Sequence, residues 1–151
     1  MRIKAKDPRL ISFMGEFMRI YLPGVKNRDD DTIDSYRYSI NLFLTYLESE
    51  HKLTVLTMQS SDFSQKNIVG FMTWLKFERK NVATTINHRL SDLRGFCKYL
   101  YKKNVLSFNE FEEIREISDV DDDRVIDFTW LSANDVWIKR DLNQLRLRGL
   151  K

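Results

Sequence analysis

The sequence predicts an all-α fold, a four- to five-helix bundle followed by a less ordered C-terminal tail. Three observations carry this expectation. Only 5 Gly and 2 Pro occur in 151 residues, too few to punctuate the turns of a many-stranded sandwich or barrel. Apolar residues make up 42% and charged residues 31%, enough to fill a core beneath a heavily charged surface, so a disordered chain is excluded. Successive segments also repeat their apolar residues at helical spacing.

In the first segment, Leu10, Phe13, Phe17 and Ile20 recur at that spacing, which predicts a helix over Pro8 to Leu22, closed by Pro23-Gly24. After a VKNRDDD loop, the second helix carries Ile33, Tyr36, Ile40, Phe43, Leu44 and Leu47 on one stripe, with Thr32 as its N-cap and acidic neighbours suiting the positive end. A linker containing His51 leads to a third helix from about Ser64. There Phe63 and Ile68 form a hydrophobic staple, Phe71, Met72 and Leu75 extend the buried face, and Asn81 breaks the pattern. The fourth helix is the best defined, because Ile86, Leu90, Leu93, Cys97 and Leu100 fall within about 80° of one another. A short fifth helix spans Ser107 to Ile117 and uses Phe108, Phe111, Ile114 and Ile117. The chain therefore divides into a helical domain over 1–117 and, over 118–151, an acidic linker with the start of a further element that has little to pack against.

Composition narrows the chemistry. One Cys excludes an internal disulfide, and with two isolated His it makes no zinc site, so no metal is expected and the compartment is reducing. MRIKAKDPRL lacks the apolar stretch of a signal peptide, and no run approaches the roughly 20 residues of a membrane span. The expectation is a soluble, cytoplasmic chain with no membrane partner. His88 has no nucleophile at a recognisable spacing, His51 sits beside Glu50 in a loop, and no Gly-rich phosphate loop occurs. No catalytic residue, cofactor or small-molecule substrate is therefore assigned. Cys97 and the tryptophans Trp74, Trp130 and Trp137 read as packing residues.

Charge is more informative. From Lys76 to Lys103 there are eight Lys or Arg against Glu78 and Asp92, a net of +6, while the chain as a whole carries +3. A solvated face and an anion-binding face both fit such a run, and position on the helix separates them. Opposite Ile86, the fourth helix displays Thr84, His88, Ser91, Gly95, Lys98 and Lys102, flanked by Asn87 and Arg94. Hydroxyls, an imidazole and an amide can bond phosphates or base edges, with lysines along the same surface. Gly95 costs about 1 kcal/mol relative to Ala inside a helix. Close approach of a duplex backbone would explain it, and so would close packing against another helix. The second helix offers a companion surface in Thr32, Ser35 and Tyr38, weakened by Asp34 and Glu48, and its first-turn N–H groups favour phosphate.

TTINHRLSDLRGFCKYL, Thr84 to Leu100, resembles the last long helix of the amino-terminal core-binding domain of tyrosine recombinases, the phage integrase family. TIDSYRYSINLFLTYL, Thr32 to Leu47, resembles its early helix, and Asp62, Ile68, Phe71 and Trp74-Leu75 fall where that family shows similar residues. The resemblance covers Pro8 to Ile117 and rests on order and spacing, not on one diagnostic motif. It implies a helical, SAM-like domain that clamps one face of a DNA core site while a separate domain cuts from the other. It also implies that Thr85 contacts phosphate, that His88 reaches a base edge, that Thr32, Ser35 and Tyr38 add contacts, and that the first helix embraces a neighbouring protomer or the duplex. Val82 stands where many members have a capping Ser, which shifts the cap to Thr84. The family's Arg, His-x-x-Arg and nucleophilic Tyr are missing, and LSANDVWIKRDL, Leu131 to Leu142, resembles the opening of a catalytic domain that the chain leaves unfinished.

The expected function is binding of double-stranded DNA at a recombination site, together with other recombinase protomers and without cutting by this chain. Lys98, Lys102 and Arg94 neutralise phosphates, and His88 with Asn87 samples bases. The alternative is a helical protein–protein interaction module that uses the first and fifth helices.

Overall fold

A computed structural model of the chain describes residues 4–120. Among them are five α-helices and no strand: α1 (Pro8–Glu16), α2 (Asp30–His51), α3 (Gln65–Phe77), α4 (Ala83–Lys102) and α5 (Phe108–Arg115). A π-helical segment, Phe17–Val25, prolongs α1, and a 3₁₀ turn, Ser60–Asp62, precedes α3. The fold is all-α, as the helical spacing predicts.

The core is a continuous relay of aromatic rings to which most elements contribute. Phe17 of the π segment meets Phe96 of α4 at 5.1 Å, Phe96 meets Phe63 at 5.2 Å, Phe63 meets Phe43 of α2 at 5.0 Å, and Phe43 meets Phe71 of α3 at 5.3 Å. All five rings are fully buried, and tilted or edge-on contacts of this kind add to the burial energy of each. The predicted α4 stripe lies wholly inside, Cys97 included. Phe63 and Ile68 flank the Ser64 cap of α3 as expected, both buried, with the Ser64 side chain accepting from the Asn67 N–H.

Boundaries differ from expectation in informative ways. Pro23-Gly24 does not close the first helical run, because Pro23 sits inside the π segment. Proline lacks an N–H, so the segment gives up one backbone bond at Pro23 without ending there. The change of register also moves Ile20 out to 62% exposure and brings Leu22 into the core in its place. The N-cap of α2 is Asp29, not Thr32: the Asp29 carboxylate accepts from the Thr32 N–H at 2.8 Å. His51 ends α2 instead of lying in the linker, and its Nε2 is 3.0 Å from the Tyr46 hydroxyl. A Ser107–Glu110 capping box starts α5, but Phe108 faces outward at 58% exposure. Packing continues to Val120, which is buried, slightly past the expected boundary at 117. Trp130, Trp137 and the Leu131–Leu142 segment lie outside the described residues.

Candidate nucleic-acid interface

The residue at the N-cap of α4 supplies no side-chain cap. Val82 holds the N-cap position with extended backbone (φ −82°, ψ 161°) and offers no acceptor, and Thr84, which the sequence suggests as the cap, is already the second helical residue. By contrast Asp7, Asp29, Ser64 and Ser107 cap α1, α2, α3 and α5. Among the described residues no side chain accepts from the first-turn N–H groups of Thr84 and Thr85, and such groups at a helix start attract an anion. The start of α2 is the reverse. Asp29 already occupies the anion position, Asp30, Asp31 and Asp34 surround it, and hydrogen bonds from the Thr32 side chain and backbone hold the Asp29 carboxyl below its ordinary range. The phosphate site expected at Thr32 is thus filled by the protein's own carboxylate.

Below the α4 start, Thr84, His88, Ser91, Lys98 and Lys102 are all exposed along one face, as their spacing predicts, and Thr85 is half-buried beside them. Among the described residues Lys98 has no anionic partner, and Lys102 meets only the Tyr21 hydroxyl, at 3.4 Å. Lys80, exposed with φ 57°, lies in the α3–α4 turn next to that helix start. It belongs to the basic run, but no periodicity places a loop residue on a face. Tyr38 of α2 joins the surface from the side, 54% exposed, with the Arg89 guanidinium 4.6 Å from its ring centroid.

Three predicted contact residues turn inward. Asn87 makes a two-way bond with the backbone of Val120, donating from Nδ2 to the carbonyl at 2.7 Å and accepting its N–H at Oδ1 at 2.7 Å. Arg94 donates to the Ile117 carbonyl and pairs with Asp119 at 3.2 Å. Together they clamp residues 117–120 onto α4. Ser35 faces α4, where its hydroxyl lies 2.7 Å from His88 Nε2 and 2.9 Å from Asp92 Oδ2. Asp92 is buried, accepts also from Ser39 at 2.6 Å, and lies 3.9 Å from Arg89. In the sequence Asp92 counts only as a charge, since an isolated Asp inside a basic helix gives no sign of the two serines that meet it.

Gly95 has a packing role. A Cβ there would come within 2.7 Å of the Tyr36 hydroxyl and 2.9 Å of its Cε1, so the absence of a side chain lets α2 and α4 approach. Among the described residues no group of His, Cys, Asp or Glu could hold a metal ion, and no helix is long and apolar enough to cross a membrane.

The profile of the phage integrase N-terminal, SAM-like domain matches residues 16–104, more than half of the chain. The chain belongs to that family. This SAM-like domain is similar to tyrosine recombinase XerC of Treponema denticola, 31% identical over 97 residues covering 64% of the chain and 30% of that protein. It is similar to XerC of Anoxybacillus flavithermus, 31% identical over 91 residues, 60% of the chain and 28% of that protein. Tyrosine recombinase XerD of Oceanobacillus iheyensis is 30% identical over 78 residues, 52% of the chain and 25% of that protein. The chain thus spans less than a third of the length of these relatives. No solved structure matches it. Within this SAM-like domain the match runs from Glu16 in α1 to Asn104 just beyond α4, so it includes both helices that build the exposed polar face.

Proposed function

We propose that this SAM-like domain binds duplex DNA with the exposed face of α4, as the DNA-gripping part of a site-specific tyrosine recombinase. One observation carries the reading: the start of α4 is continuous with Thr84, His88, Ser91, Lys98 and Lys102, a polar and cationic surface to which no exposed carboxylate among the described residues is bonded. A phosphate at the Thr84 and Thr85 N–H groups would complete the helix start, and Lys98 and Lys102 would follow the backbone along the groove. Tyr38 and Lys80 flank the same surface. Asn87 and Arg94 serve by holding residues 117–120, and Ser35 by orienting His88, so none of the three needs to touch DNA. Binding occurs without cutting, since residues 1–151 contain no His-x-x-Arg; strand exchange belongs to the recombinase of which such a domain is part. A cytoplasmic location accords with a DNA partner. Exposed Ile20 and Val25 on the π segment are where another protomer would meet this one.

Titration of fluorescent random duplex at two salt concentrations tests the reading. Non-specific dissociation constants of about 10⁻⁴ to 10⁻⁶ M at physiological salt are expected, weakening steeply as salt rises. Replacing Lys98 or Lys102 by Ala lowers the magnitude of the log-affinity against log-salt slope by about 0.9 for each phosphate no longer neutralised. An unchanged slope in both variants removes the assignment of this face. The same exposed Ile20 and Val25, with Phe108, favour a second reading, a protein–protein interaction module, and complete absence of salt-sensitive binding would leave that one standing.

A further inference from the structure

We propose that Asp92, acting through Ser35, sets the protonation pattern of His88 so that its open nitrogen is an acceptor, which selects duplexes presenting the exocyclic amine of adenine or cytosine at that position. The proposal rests on the reading of α4 as a duplex-facing helix. It follows from counting protons. A serine hydroxyl has one proton to donate, and a carboxylate only accepts. Ser35 Oγ and Ser39 Oγ, four residues apart on α2, lie 2.9 and 2.6 Å from the same oxygen, Oδ2 of Asp92. Both serine protons therefore point to that carboxylate.

At Ser39 the direction is independently determined. Arg89 Nη1 lies 2.8 Å from Ser39 Oγ, and a guanidinium can only donate, so Ser39 accepts from Arg89 and donates to Asp92. Ser35 repeats the arrangement with His88, whose Nε2 is 2.7 Å away. With its proton on Asp92, Ser35 can only accept, and Nε2 must carry the hydrogen. In the neutral ring Nδ1 is then a bare acceptor, without a protein partner among the described residues, on a side chain 56% exposed. In the major groove such an acceptor meets adenine N6 and cytosine N4 amines and is repelled by guanine O6 and N7 and by thymine O4. Phosphate oxygens repel it as well, so in neutral form this ring reads a base. Ser35 and Asp92 are positioning residues that touch no DNA.

The test compares the chain with Ser35→Ala and Ser35→Thr at pH 8. Selection from a duplex pool randomised in sequence should enrich A or C at one position roughly two- to twelve-fold, the range a single hydrogen bond supplies. Ser35→Ala should abolish the enrichment, Ser35→Thr should retain it, and the salt slope on random duplex should be the same in all three. Two-bond ¹H–¹⁵N spectra of the free protein should show His88 as the pure Nε2–H form, and as a tautomer mixture in Ser35→Ala. Enrichment of G or T, enrichment that survives Ser35→Ala, or a mixed ring in the unaltered chain would each overturn the proposal. Absence of any salt-sensitive binding would overturn the DNA reading, and base selection with it, while the ring spectra would still decide the tautomer.

Discussion

Replacing Gly95 by Ala separates two explanations of a glycine in the middle of α4. At an unhindered helical site the change stabilises by about 1 kcal/mol, because Gly loses more backbone entropy on folding. Here the new Cβ would lie 2.7 Å from the Tyr36 hydroxyl, 2.9 Å from Cε1 and 3.2 Å from Cζ, well inside ordinary contact. Tyr36 cannot simply swing aside, since its ring packs edge-on against buried Phe17 with centroids 5.3 Å apart. Forcing a methyl into such a contact costs about 1 to 3 kcal/mol. The two effects leave a net destabilisation of about 1 kcal/mol, a fall of roughly 4 °C in Tm for a domain of this size. Urea or thermal unfolding monitored by far-UV circular dichroism measures it. Tyr36→Phe, which removes the nearest atom, should recover part of the stability in a double-mutant cycle. If Gly95→Ala instead raises stability by the full 1 kcal/mol while weakening duplex binding, then Gly95 is there for the duplex and the packing argument is wrong.

Asn87→Ala should speed amide exchange at Val120, whose N–H donates to Asn87 Oδ1, and leave base preference unchanged; a shift in preference would make Asn87 a DNA contact after all. Acidification should erode α2: the Asp29 carboxyl is depressed by its Thr32 hydrogen bonds, so its contribution is full above the ordinary Asp value near 3.8 and is lost as pH falls through the lower folded value. Asp29→Asn, which keeps a cap but removes the charge, should flatten that part of an acid titration of stability, and an unchanged profile would contradict the assignment. Burial pushes the Cys97 thiol far up, so a thiol reagent at pH 8 should react only after denaturant unfolds the chain, and rapid labelling of the native protein would contradict the buried placement.

The sequence by itself determined the helices and their inward faces. Apolar periodicity is a local property, and Ile86, Leu90, Leu93, Cys97 and Leu100 lie in the core for the same reason that their spacing is regular. The exposure of Thr84, His88, Ser91, Lys98 and Lys102 follows from the same pattern, as the complement of that stripe. Neighbours distant in sequence decided the rest. Asn87 and Arg94 sit on the flank of the polar face, yet residues 117–120 return to claim them. Ser35 meets His88 and Asp92 across 53 and 57 residues, a contact made where α2 packs on α4, as Tyr36 packs on Gly95. Polar side chains acquire their roles from whichever partner the fold brings within hydrogen-bond reach. Those partners leave no period in the chain, so only the tertiary structure separates a residue that faces outward from one that holds the molecule together.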